Sequence, residues 1–212
     1  MPDVGDNWRL AVWALLGLAV AMRLCFHLRQ AQRGEALLPD AGAVRREGRL
    51  SLAVRSVGFV LMLAFFVLYG VDAPSLRFAA VAVPAPVRWA GLLLGLGSLG
   101  LWTWTHLALG RYWSAQLTLR TGHQLVTAGP YRRVRHPMYT AVFIWVTCLA
   151  IVAANWLFLL LAAAIIAVLM ARVPKEEQML LQALGPPYRD YLDRTGRYFP
   201  KMRRDAGDRV AR

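Results

Sequence analysis

The sequence predicts an all-α integral membrane protein with about five transmembrane helices, the last two paired as a short helical hairpin. Three observations carry that prediction. Of the 212 residues, 58% are hydrophobic and 17% are charged, where soluble domains carry roughly 45–50% apolar and about 25% charged residues. The apolar residues gather into runs of about bilayer length. The 25 Lys and Arg, against 12 Asp and Glu, fall mostly on one side of those runs. Together these exclude a disordered chain and an ordinary soluble globule. Cys25 and Cys148 both lie inside apolar runs and form no CxxC pair, so neither a disulfide framework nor a metal site is expected.

The first run, Trp8 to Phe26, reaches about 28 Å at ~1.5 Å per residue. Asp3 and Asp6 make the segment before it acidic, and no small-residue cleavage site follows, so it reads as a span and not a signal peptide. The second run is Leu52 to Val71, and the third is Val87 to His106, preceded by the breaker Pro84-Ala85-Pro86. The fourth and fifth, Tyr139 to Ala154 and Trp156 to Ala171, are parted by Asn155 alone. That spacing predicts a tight hairpin with Asn155 at its tip. The chain thus divides into three N-terminal spans with their loops (1–106), a region 107–200 containing the hairpin 139–171, and a charged tail (201–212) expected to be disordered.

Loop charge sets the orientation. Segment 29–50 holds five Arg, segment 107–138 holds five Arg and no acid, and the tail 172–212 holds ten Lys or Arg against six acids. The other side has only Arg9, Arg77 and Arg88. Cytoplasmic loops collect basic residues, so the N-terminus is expected outside and the C-terminus in the cytoplasm. The net charge of +13 then reflects an anionic leaflet rather than nucleic acid.

Two cytoplasmic segments are richer than connectors need to be. Gly129-Pro130-Tyr131 reads as a turn. It leads into Arg132-Arg133-Val134-Arg135-His136-Pro137, with Pro137 placed to open the fourth helix. The free N–H groups of that helix start suit a carboxylate or phosphate. Arg132 and Arg133 suit lipid headgroups equally well. Lys175-Glu176-Glu177 lies just past the fifth run. Adjacent helical residues point about 100° apart, so at most one Glu faces a given pocket, and one is placed to pair with the arginines of 132–135. Tyr188 and Tyr191, three apart, share a helix face after Gly185-Pro186-Pro187, as belt aromatics or as pocket walls.

These residues resemble the isoprenylcysteine carboxyl methyltransferase family, within a wider superfamily that includes membrane phospholipid methyltransferases. The resemblance rests on His123-x-Leu125-Val126-Thr127-x-Gly129-Pro130-Tyr131-x-x-Val134-Arg135-His136-Pro137-x-Tyr139, Glu176-Glu177-x-x-Leu180, Gly185-x-x-Tyr188-x-x-Tyr191 and Arg197-x-x-Pro200. It covers roughly residues 106–200. Ala141 and Leu184 depart from the family's usual Gly and Phe, which bears on pocket shape. Gly95-Leu96-Gly97 is similar to a Gly-x-Gly of the phospholipid enzymes, although helix packing through small residues explains it as well.

The resemblance implies a membrane enzyme that uses S-adenosylmethionine, releases S-adenosylhomocysteine and holds the cofactor in a cytosolic pocket. The pocket is built from the 107–138 segment and the C-terminal tail, and a lipophilic small molecule or lipid reaches it from the bilayer. Carried over by position, the cofactor is wrapped by His123, Gln124, Leu125, Val126, Gly129, Pro130, Tyr131, Val134, Arg135, His136, Pro137 and Tyr139, and Glu176 or Glu177 closes the pocket. The cofactor's carboxylate suits Arg135 or His136, and its ammonium suits one of the glutamates. The catalytic candidates are His136, Glu177 and Arg197. A carboxylate acceptor needs a cationic anchor, Arg197 or Arg194, whereas an amine or phenol needs a base, His136 or a Glu.

Two other classes stand beside this one. A membrane reductase using NADPH, of the sterol-reductase type, has a related pocket, but Arg135-His136-Pro137-x-Tyr139 together with Glu176-Glu177 favours the methyltransferase branch. A non-enzymatic protein binding anionic lipid accounts for the charge but not for the ordered motifs. Membrane lipids are expected partners and nucleic acid is not. The Arg and Ala bias suggests a bacterial inner-membrane protein, for which prenylated proteins are unlikely acceptors. Oligomeric state is not legible.

Overall fold

The computed structural model describes residues 6–32, 60, 63–71, 74–110 and 124–201. Its elements are helices α1 (Asp6–Gln32), α2 (Ala85–Leu109), α3 (Pro137–Ala153), α4 (Trp156–Leu184) and α5 (Pro186–Arg194), with a single helical turn at Pro74–Arg77 and a 3₁₀ turn at Gly129–Arg132. Residues 63–70 are helical, and the rest of the second run, 52–71, lies almost wholly outside the described residues.

Three of the described helices, those starting at Asn7, Ala85 and Trp156, are long and apolar enough to cross a membrane. At 27 residues, α1 reaches about 40 Å, and the 29-residue α4 reaches about 43 Å. Both exceed a hydrocarbon core of roughly 30 Å. The 17-residue α3 is shorter. Leu18, Leu24, Leu93, Leu94, Leu107, Leu159 and Leu160 are more than half exposed. In water such a surface would drive aggregation, and against lipid tails it costs nothing.

Helices α2 and α3 form the most extensive contact, and α1 packs on both. Small residues permit it. A Cβ at Gly91 would lie 3.0 Å from Ile151 Cγ2, and one at Gly95 would lie 3.3 Å from Leu15 and 3.4 Å from Cys148. Among the described residues nothing lies within 4 Å of a Cβ at Gly97, so packing between them accounts for Gly95 but not for its neighbour in Gly-x-Gly. The core between these helices holds Val12, Leu15, Leu99, Trp102, Trp145, Leu149 and Val152. Phe65, Phe66 and Tyr69 close on Phe158 of α4, with ring centroids 4.8–5.1 Å apart.

The turn between α3 and α4 is tied down. Ala154 is left-handed, with φ 50° and ψ 47°. Asn155 caps α4 by accepting from Leu157 N at 3.0 Å and donates through Nδ2 to Leu76 O at 3.1 Å. Val81 N to Ala154 O at 2.8 Å and Trp156 N to Ala79 O at 3.0 Å complete the latch.

Arg88, at the end of the 72–88 connection, does more than carry charge there. It is buried in the first turn of α2, donates through Nε (3.0 Å) and Nη2 (2.6 Å) to Val152 O, and covers the Trp8 ring at 4.3 Å. The last carbonyls of a helix lack intrahelical partners, and Arg88 supplies one for α3. The fifth apolar run ends at Ala171, but the helix does not. Its helix continues through Pro174 to Leu184, and Gly185, with φ 61°, ends it. Proline removes one backbone hydrogen bond, but the ion pairs of Glu177 hold the following turns, so Glu176 and Glu177 ride on α4 itself. The expected division at residue 106 falls inside α2.

Candidate functional site

The site begins at the 3₁₀ turn. Gly129 has φ +58°, and a Cβ there would meet Trp104 Nε1 at 3.2 Å. Glycine is therefore required both by backbone conformation and by the approach to α2. Tyr131 is buried, with its carbonyl accepting from Tyr191 Oη at 2.6 Å; the same hydroxyl lies 3.3 Å from Val134 O. Residues 133–136 then pair in parallel with the C-terminal segment. Gly196 N donates to Arg133 O (3.1 Å), Arg135 N to Gly196 O (2.9 Å) and His136 N to Arg197 O (3.0 Å). A Cβ on Gly196 would sit 1.7 Å from Phe199 O, so only glycine fits. Thr140 Oγ1 donates to Tyr198 O at 2.7 Å and fixes the strap to α3.

Side chains converge on Glu177. Its Oε1 accepts from Arg135 Nε at 3.0 Å and Arg197 Nε at 3.2 Å, and its Oε2 accepts from Arg197 Nη2 at 2.6 Å. His136 Nε2 lies 3.2 Å from Oε1. An ionised carboxylate only accepts, so the Nε2 proton points at Glu177. Arg135 also donates to Leu192 O at 3.0 Å and to Thr195 O. The Glu177, Arg135 and His136 side chains are nine-tenths buried or nearly so, whereas Arg197 is 46% exposed. The hydrogen bonds to Glu177 hold the Arg197 guanidinium above its usual range.

Glu176 stands apart, accepting from Tyr139 Oη at 2.7 Å. Beside it run the rings of His136, Tyr139, Phe143 and Tyr198, with neighbouring centroids 5.3–6.5 Å apart. Burial raises the Tyr131 phenol well above its usual range, with Glu176 adding to the effect. Burial raises Tyr188 likewise, with the charges of Glu177 and Glu176 next. Burial also pushes Tyr191 up to about 12, against the pull of Arg135 and Arg194. At neutral pH these phenols keep their protons, and that of Tyr191 goes to the Tyr131 carbonyl.

Residues 92–182 match the model of the isoprenylcysteine carboxyl methyltransferase family. The matched stretch is less than half of the chain. The matched stretch runs from mid α2 to the end of α4, so it reaches further back than residue 106 and stops before Gly185. The chain is 32% identical over 111 residues to the nickel-cobalt-cadmium resistance protein NccN of Alcaligenes xylosoxydans xylosoxydans, covering 52% of this chain and 51% of that protein. It is 31% identical over 121 residues to the cobalt-zinc-cadmium resistance protein CzcN of Cupriavidus metallidurans, covering 54% and 55%. The chain spans about half the length of the curated relatives it matches. Its fold is similar to that of the eukaryotic intramembrane Ras methyltransferase ICMT, with a TM-score of 0.52 at 20% identity, over 90% of this chain and 67% of that one.

Of the residues expected to line a pocket, His123 lies outside the described residues. Gln124, Leu125 and Val126 form an extended approach to the turn, with Gln124 exposed and the other two half-buried. Arg135, His136, Glu177 and Arg197 meet in one cluster, and Tyr139 meets Glu176. Arg194, exposed at the end of α5, is not part of that cluster. Tyr188 and Tyr191 are buried at 2% and 3% exposure, not spread along a membrane interface. Sequence reading passed over Thr140, Thr195 and Gly196. The available signal for Gly196 was a glycine directly before Arg197 in Arg-x-x-Pro.

Proposed function

We propose that this chain is an integral membrane methyltransferase that moves a methyl group from S-adenosylmethionine to a lipophilic acceptor, with its site on the cytoplasmic side of the inner membrane and its N-terminus outside. The observation that carries this reading is the cluster Arg135–Glu177–Arg197. It gathers the turn before α3, the polar end of α4 and the C-terminal strap at the foot of apolar helices. We place the catalytic region at residues 107–200, anchored by α2.

The donor set suits the cofactor. S-adenosylmethionine brings an electrophilic methyl group, an ammonium, a carboxylate and a flat purine. Glu176 offers a half-buried carboxylate, and Tyr139, Phe143 and Tyr198 offer aromatic faces. The start of α3 offers the N–H groups of Met138 and Tyr139 to an anion. In this reading the stretch from Gln124 to Pro137 wraps the cofactor, and the strap 195–200 fixes that stretch in place. His136 directs its Nε2 proton to Glu177, which leaves Nδ1 as the ring's proton acceptor toward an amine, thiol or phenol. Arg197, half in solvent, is the cation for an acceptor that arrives as a carboxylate.

Calorimetry on the detergent-purified protein tests this directly. Micromolar binding of S-adenosylhomocysteine, weakened in His136→Ala, is the expected result. Binding of NADPH instead would move the chain to the reductase class. Binding of neither, in folded protein, would leave the lipid-binding reading.

A further inference from the structure

The strap carries an aromatic ring that the site does not use. Phe199 is 73% exposed, the largest share of any large hydrophobic side chain among the described residues. Its backbone is nonetheless fixed. A Cβ on Gly196 would strike Phe199 O and lie 2.9 Å from Lys201 N, so residues 196–201 double back on themselves. Thr140 Oγ1, in the first turn of α3, donates to Tyr198 O at 2.7 Å. The Tyr198 ring stands 5.3 Å from that of Phe143, further along the same helix. Phe199 is thus held beside the start of α3.

The depth of that position follows from α4. Helices α3 and α4 part at Asn155 and meet again where His136 Nε2 lies 3.2 Å from Glu177 Oε1. From Trp156 to Glu177, α4 climbs about 32 Å at ~1.5 Å per residue, which is one hydrocarbon core. The start of α3, and the turn tied to it, stand where lipid tails give way to headgroups. A lone exposed apolar side chain in water needs no explanation, but a ring at this depth faces lipid. Cations surround it. Residues 194–201 hold Arg194, Arg197 and Lys201 and no acid. Arg194 and Lys201 are exposed, and so is Arg133, whose carbonyl accepts from Gly196 N at 3.1 Å. An apolar ring rimmed by Lys and Arg is the composition of segments that lie in a membrane interface, and cations there are drawn to anionic headgroups.

We propose that residues 196–201 form an interfacial anchor, with Phe199 sunk into the edge of the hydrocarbon and Arg133, Arg194 and Lys201 against anionic headgroups. The partner is the bilayer surface. The anchor holds the strap, and with it the backbone partners of Arg135 and His136, against the membrane. It rests on α4 spanning the bilayer and not on the methyltransferase reading.

The test is a depth measurement in vesicles. Cys25→Ser and Cys148→Ala remove the native thiols, and a nitroxide is attached at Phe199→Cys, at Leu160→Cys on the apolar face of α4 or at Arg189→Cys on α5. Paramagnetic resonance should show the label at 199 colliding with oxygen as often as the label at 160. Its collisions with a neutral nickel chelate should be severalfold rarer than those of the label at 189. Vesicles of phosphatidylglycerol should shield it from nickel more than vesicles of phosphatidylcholine. Nickel access equal to that at 189 overturns the anchor, and equal shielding in the two lipids overturns its cationic half. Hydroxyl-radical footprinting of the unsubstituted protein in vesicles gives a reading that no variant's folding can affect. Corrected for intrinsic reactivity, Phe199 should be protected as strongly as Leu94, which is exposed on α2. A rate typical of a ring in water overturns the proposal.

Discussion

Arg135 and Glu177 are forty-two residues apart in sequence and meet at 3.0 Å, with about a tenth of each side chain exposed. An ion pair that dry is costly to break from one side, because the remaining charge stays buried without its partner. The pair therefore acts as a clasp between the turn before α3 and the polar end of α4.

Glu177→Gln should destabilise the protein by about 3–5 kcal/mol, the range for removing one partner of a buried pair. Arg197→Ala should cost about 1 kcal/mol or less, since that guanidinium is 46% exposed and exposed pairs contribute little. Thermal melting in detergent, read by circular dichroism, ranks the two. Equal losses would show that the exposed arm of the cluster matters as much as the buried one.

Alkaline pH should loosen the strap through Tyr191. Burial raises its phenol from 10 to about 12 in the folded state, so the fold favours the neutral form. The sign follows: its contribution is complete below pH ~10 and is lost as pH rises towards ~12. Tyr191→Phe removes this ionisation, so the slope of unfolding free energy against pH in that window should be shallower than in wild type. An unchanged slope would place the alkaline transition elsewhere.

Ala154 holds a left-handed conformation at φ 50°, which costs a residue with a Cβ about 1–2 kcal/mol. Ala154→Gly should raise stability by about 1 kcal/mol and leave cofactor affinity unchanged. A lower melting temperature in A154G would mean that the methyl group contributes packing that outweighs the strain.

The glycines of α2 should split. Gly91→Val pushes extra atoms against Ile151, already 3.0 Å from where a Cβ would stand, and should cost about 1–3 kcal/mol by overpacking. Gly97→Ala meets open space and should leave melting unaltered or raise it slightly, as alanine favours helix. A large loss of S-adenosylhomocysteine binding in G97A, with melting unaltered, would give Gly97 a ligand role that its surroundings within this chain do not indicate.

Several features were legible in the residues because they are local. Pro137 starts α3, Asn155 marks the break before α4, and Gly185 ends α4; each follows from the backbone chemistry of a single residue. The pairing of an arginine of 132–135 with one of the two glutamates was also readable, from charge and from the chain's return to the same side. What could not be read depends on segments far apart in sequence. Arg88 is buried because Val152, sixty-four residues on, lacks a partner for its carbonyl. Tyr191 is buried because its hydroxyl reaches the Tyr131 carbonyl sixty residues back. Gly196 is required by the chain folding onto itself at Phe199. The apolar run marks α4 only as far as Ala171, and the polar remainder of the helix to Leu184 carries no apolar signal to mark its length.

The ladder between residues 133–136 and 196–197 has a consequence for a shortened chain. Helices α2, α3 and α4 end by residue 184, but the turn before α3 takes its backbone partners from Gly196 and Arg197. A chain cut before residue 195 would keep every residue of α2, α3 and α4 but leave the turn before α3 without those backbone partners.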